Sequence, residues 1–121
     1  MKHPDKWLLC ESDYRFILIV WAHEPIRSGA LIPLCKEKLG WTKSTTYTIL
    51  RKLCERGLLQ NVNSVVTSVI PKEQVQADTS AHFIDHTFEG SLPKFIASFL
   101  STKPLSEEEV AEIRAMIDKY E

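Results

Sequence analysis

Glycine is scarce, with 4 in 121 residues, and proline stands at 6, so neither a collagen-like repeat nor a Gly/Pro-rich disordered tract is open to this chain. Cysteine is scarcer still. Cys10, Cys35 and Cys54 are odd in number and widely spaced, without a CxxC or CxC pair, which excludes a disulfide framework and fits buried thiols in a reducing compartment. Long apolar runs are missing: Phe16 to Ala22 is far short of a membrane span, and the stretch from Met1 to Lys6 lacks the apolar centre of a signal peptide. The expected location is therefore the cytoplasm, without membrane insertion. Nor is there an excess of one charge, the formal net charge being −1. Its distribution is uneven, however. Residues 1–57 carry 10 basic and 6 acidic side chains, whereas residues 58–121 carry 5 and 10, so the first half suits an anionic partner.

What is present, 44% hydrophobic and 26% charged residues, is the composition of one globular domain or of a small domain with an appended module. Most of the chain has helical periodicity. Tyr14, Ile17, Leu18 and Trp21 share a stripe that Phe16, Ile19 and Val20 widen, which predicts a helix enclosed on several sides and ended by His23, Glu24 and Pro25. A second helix is expected from an N-cap at Ser28 to Leu39, stopped by Gly40, with an irregular opening turn at Pro33. A third lies within residues 41–57, capped by Thr42, burying Ile49, Leu50 and Leu53, with Gly57 placed for a left-handed end. The period then changes. Leu58 to Asn61 and Val65 to Ile70 read as a short hairpin, and helices resume over Lys72–Glu89, over Ser91–Leu100 and after Ser106, whose Glu109 completes a capping box.

Three helices followed by a hairpin is the order of a winged helix-turn-helix, in which the third helix enters a DNA major groove. The expected fold is mainly α: a winged-helix DNA-binding domain over residues 1–71 and a helical dimerisation domain over 72–121. The third helix has suitable chemistry. Lys43, Arg51, Lys52 and Arg56 can neutralise phosphates, and Ser44, Thr45, Tyr47 and Thr48 can reach base edges. Two alternatives stand beside this one: an amphipathic helix with incidental charge, and a winged helix that binds protein instead of DNA.

Residues 13–21 (DYRFILIVW), the run GWTKSTTYTILRKLCERGLL, and the segment from HFIDHTFEGSLPKFIASFL through LSEEEVAEIRAMID resemble the penicillinase-repressor family, the BlaI/MecI group of bacterial transcriptional repressors. The similarity spans about residues 8–120. It implies a homodimer whose winged helices bind double-stranded DNA at a palindromic operator, and it implies inactivation through a membrane sensor-protease. The family's recognition motif falls on Trp41, Thr42, Lys43, Ser44, Thr45, Thr46, Thr48, Leu50, Lys52 and Leu53. With Tyr47 and Arg51 from the helix chemistry, the expected DNA-binding set is Thr42, Lys43, Ser44, Thr45, Tyr47, Thr48, Arg51 and Lys52. The family's scissile bond aligns with Ser98–Phe99, where Ser98 replaces the usual Asn. The family often has Ser-Pro-Lys where this chain has Thr42, Lys43 and Ser44. Its wing tip is usually basic or glycine-rich, against the uncharged run from Asn61 to Val66 here.

Phe95, Ile96, Phe99 and Leu100, with Val110, Ile113, Met116 and Ile117, present more apolar surface than two short helices cover on each other. A second copy is the expected cover, and packing on the chain's own N-terminal domain is the alternative. An enzyme is not expected: Cys54 has no legible His–Asp partner, and no Gly-rich phosphate loop occurs. Asp78, His82 and His86 share one helix face at metal-ligand spacing, but a structural site wants four ligands, so no metal and no other cofactor is expected.

Overall fold

A computed structural model describes residues 8–120; the stretch from Met1 to Lys6 lies outside them. In chain order the elements are α1 (Glu11–His23), β1 (Ile26–Arg27), α2 (Ser28–Leu39), α3 (Lys43–Glu55), β2 (Leu59–Val62), β3 (Val65–Ser68), α4 (Lys72–Thr87), α5 (Leu92–Leu100) and α6 (Glu107–Lys119). This is the mainly helical winged-helix arrangement expected, with one addition. The sheet has three antiparallel strands in the order β1-β3-β2, because Ile26 and Arg27 pair with Val66 and Val65. Two residues between a proline and a helix carry no periodicity, so β1 leaves no sequence signal.

The chain divides into two compact units, the first ending at His82 and the second starting at Phe83. The first has a single core of Phe16, Ile17, Ile19, Val20, Leu31, Cys35, Leu50, Leu53, Leu58, Leu59, Val66 and Val75. α1 supplies four of these, as an enclosed helix should, although Leu18 faces outward. Val75 brings the start of α4 into the same core, so the unit extends past the hairpin.

The turn between α2 and α3 is set by local chemistry. Gly40 takes a left-handed conformation (φ 70°) that a side chain would resist, its N–H donates to the Lys36 carbonyl, and Trp41 N–H donates to that of Cys35. Thr42 then caps α3 by accepting the Thr45 N–H at 3.2 Å. The expected cap of α2 is corrected: Arg27 occupies that position, and Ser28 is already helical and buried. Its N–H is taken instead by the Ser64 carbonyl at 2.8 Å, which binds the hairpin tip to α2. Pro33 lies inside α2, where it removes the N–H that would reach Gly29.

The wing is pinned at its other end by Glu24, whose carboxylate accepts from Ser68 N–H at 2.7 Å and from Ser68 Oγ–H at 2.9 Å. Its two-residue tip is formed by Asn63 (φ 53°) and Ser64 (φ 64°), both left-handed, the geometry that matches strand twist. Asn tolerates that region better than Ser. Ser64→Gly should relieve the strain while keeping the backbone bond to Ser28. A gain of about 0.5–1 kcal/mol is expected, read as a raised thermal midpoint.

In the second unit, rings from three segments cluster. Phe83 and Phe95 meet edge to face at 6.1 Å, Phe88 and Phe95 at 5.6 Å, and Phe99 adjoins Phe95 at 6.1 Å. Ser91 caps α5 by accepting from Lys94 N–H, and Ser106 and Glu109 form the reciprocal capping box of α6.

Candidate nucleic-acid interface

α3 is held on its inner side by Thr46, Leu50 and Leu53. Thr46 is fully buried, and its hydroxyl donates to the Thr42 carbonyl at 2.9 Å. The outer side is short and polar. Thr42, Lys43, Ser44, Thr45, Thr48 and Arg51 are exposed, and Tyr47 and Lys52 are half-buried at the margins. Ser44, Thr48 and Arg51 follow the i, i+4, i+7 spacing of one helical face, so groups of different reach stand in a row directed at solvent. Thr42 donates its hydroxyl proton to Thr45 Oγ1 at 3.1 Å, which leaves Thr45 its own proton to donate outward.

The two margins of this face differ. Towards the wing, Tyr47, Leu50, Arg51 and Cys54 of α3 and Asn61 of β2 line an open cleft of about 260 Å³. A phenol, a guanidinium and a carboxamide thus converge over an apolar floor, a donor set suited to an anion. Asn61 belongs to the hairpin body, so the wing brings a donor to α3 even with an uncharged tip.

Towards α1, the basic side chains expected near phosphates have a different partner. Lys52 Nζ lies 2.8 Å from Asp13 Oδ2, and Arg56 Nη1 lies 3.8 Å from the same oxygen. Arg56 also donates through Nη2 to the Leu8 carbonyl. The Asp13 side chain is 3% exposed, a carboxylate that hydrophobic periodicity gave no reason to place inside. Buried carboxylates need cationic or hydrogen-bonding partners, and α3 supplies them. The signal was present as an acid on an apolar helix and two bases on another, without anything in the sequence to pair them.

Both inner thiols are pushed upward by burial. At Cys35 the Thr46 hydroxyl partly opposes this, and at Cys54 the neighbouring Glu55 carboxylate adds to it, so both favour the protonated form. Among the described residues no group of three or more His, Cys, Asp or Glu side chains converges as a metal site, and Asp78, His82 and His86 each engage other groups of the chain. No described helix is long and apolar enough to cross a membrane.

The residues expected to dimerise lie in the second unit. Phe95 and Val110 are half-buried within it, Phe95 among the phenylalanine rings. Ile96, Phe99, Leu100, Ile113, Met116 and Ile117 remain 37–64% exposed. Ser98 and Phe99 are exposed in the last turn of α5.

Comparison with known proteins agrees with this architecture. The family model described as penicillinase repressor matches residues 9–119. The penicillinase repressor of Bacillus licheniformis is 22% identical over 116 residues, covering 93% of this chain and 91% of its own length. The methicillin resistance regulatory protein MecI of Staphylococcus aureus is 19% identical over 115 residues, covering 92% and 94%. The match runs almost from end to end and covers residues of both units, and the chain belongs to the penicillinase-repressor family.

Proposed function

We propose that the protein is a homodimeric transcriptional repressor that occupies a palindromic operator, each copy laying α3 in the major groove. The observation that carries this reading is the outer face of α3: a capped helix, fixed by its inner side, that offers Ser44, Thr45, Thr48 and Arg51 to solvent. The regulator and repressor names of the relatives support it. Ser44, Thr45 and Thr48 are assigned to base edges and Lys43 and Arg51 to phosphates. The cleft beside Tyr47, Arg51 and Asn61 would seat a backbone phosphate, which gives the uncharged wing a part in binding. Two copies match half-sites about one helical turn, roughly 34–36 Å, apart.

Dimerisation is assigned to the apolar faces of α5 and α6. A cut at Ser98–Phe99 by a sensor-protease would separate α6 from the rest of the chain and so weaken the dimer, which gives that bond its regulatory meaning.

Titration of a labelled duplex carrying the gene's own promoter region, across a salt series, tests the reading. Affinity should fall steeply with salt, and Arg51→Ala should lower the slope by about 0.9 for each phosphate it no longer neutralises. Absence of binding at low salt would leave the protein-binding winged helix as the better account.

A further inference from the structure

We propose that Asp13 withholds Lys52 from DNA, so that a residue of α1 limits how many phosphates the recognition helix engages. The inference rests on the DNA-binding reading above and adds to it a residue outside the contact surface. Lys52 stands beside Thr45 and Thr48, at i+7 and i+4 from them, and its side chain is 44% exposed. By position it borders the row assigned to the duplex. By geometry its ammonium belongs to α1, at 2.8 Å from a carboxylate that is 3% exposed.

The two anions competing for Lys52 are unequal. A DNA phosphate meets it in salt water, where the attraction is screened and other counterions substitute. Asp13 is enclosed, and its other oxygen, Oδ1, accepts no hydrogen bond among the described residues. Departure of Lys52 would leave the buried charge to Arg56 alone, at the longer 3.8 Å. The ammonium therefore stays with Asp13 when a duplex approaches. Asp13 thus acts through Lys52, as a positioning residue that sets a ceiling on sequence-independent affinity.

Asp13→Asn is nearly isosteric and removes the charge that holds Lys52. Fluorescence anisotropy with a random-sequence duplex, across a series from low to moderate salt, reads the result. The variant should bind that duplex more tightly, on the order of a hundredfold at low salt, and its salt slope should steepen by about 0.9 per copy, or about 1.8 for the dimer, the signature of one more neutralised phosphate on each α3. Asp13→Asn combined with Lys52→Gln should return the slope to that of the wild type. A merely structural carboxylate would lower stability, or the fraction of active protein, without steepening the slope.

Lys52→Gln in the otherwise unchanged chain gives an independent reading, whether or not Asp13→Asn folds, because the wild-type slope should persist. A fall of about 0.9 per copy, or about 1.8 for the dimer, would make Lys52 a phosphate ligand and overturn the proposal. An unchanged slope in folded Asp13→Asn would overturn it as well while leaving the DNA-binding reading intact. Wild-type protein that binds no duplex would overturn both.

Discussion

Ile117→Asp is expected to sediment as a monomer where the wild type sediments as a dimer, and to lose operator affinity by roughly 10²–10⁴-fold. Ile117 is 62% exposed within one chain, so a carboxylate there stays hydrated in the monomer and should leave its thermal unfolding nearly unchanged. In an interface between copies the same carboxylate would be buried without a partner, at a cost of several kcal/mol. The position thereby separates assembly from folding, which a more enclosed residue such as Phe95 would not. The size of the apolar surface makes the expectation strong. Ile96, Phe99, Leu100, Ile113, Met116, Ile117 and Tyr120 are each at least 37% exposed, more apolar side chain than a monomer of this size ordinarily leaves in water within one unit. The loss of affinity follows from coupling, since one α3 that neutralises few phosphates binds weakly and a second on the same duplex acts at high effective concentration. The monomer's salt slope should be about half that of the wild type, as one α3 engages half the phosphates. A dimer that survives Ile117→Asp would assign self-association to another surface.

Where pattern alone determines structure, the sequence was readable. Thr42, Gly40 and the Ser106–Glu109 pair act within four residues of themselves, and each appears where capping chemistry requires it. The hairpin followed from the change of period after Gly57. What stayed hidden depends on pairings between distant segments. β1 exists because Ile26 and Arg27 find β3 some forty residues later, and two residues have no period to read. Ser28 looked like a cap until the Ser64 carbonyl claimed its N–H. Amphipathic reasoning directs Lys52, a lysine on an outer margin, to solvent, and its pairing at 2.8 Å with an aspartate of another helix has no sequence signal. Asn61 is the converse: a polar strand residue that gains meaning only beside Tyr47 and Arg51. In the candidate interface, then, the row Ser44, Thr45, Thr48 and Arg51 and the margin residues Tyr47 and Lys52 were legible from helix geometry, and the partners at the two margins, Asn61 and Asp13, were not.

Phe16→Ala should lower the free energy of unfolding by about 3–5 kcal/mol, out of the roughly 5–15 kcal/mol available to a domain of this size. Phe16 is fully buried at the centre of α1, and its ring stacks on Trp41 with centroids 5.9 Å apart and planes 14° from parallel. Truncation therefore removes more than buried area. The cavity would open beneath the residue that immediately precedes the α3 N-cap, in a turn already constrained by Gly40. Urea unfolding followed by circular dichroism reads the stability, and tryptophan fluorescence with Trp7 and Trp21 replaced by Phe reads the turn through Trp41. Phe16→Leu, which keeps most of the volume but loses the ring pairing, separates the two contributions and should cost only about 0.5–1.5 kcal/mol. If the loss at Phe16→Ala came out below about 1 kcal/mol, the ring would have to be outside the core, because a cavity of that size is never so cheap in a close-packed interior. A loss in the expected range would mark α1 as a support of α3 at its start, through Phe16 and Trp41, just as the Asp13–Lys52 pair ties the two helices towards its finish.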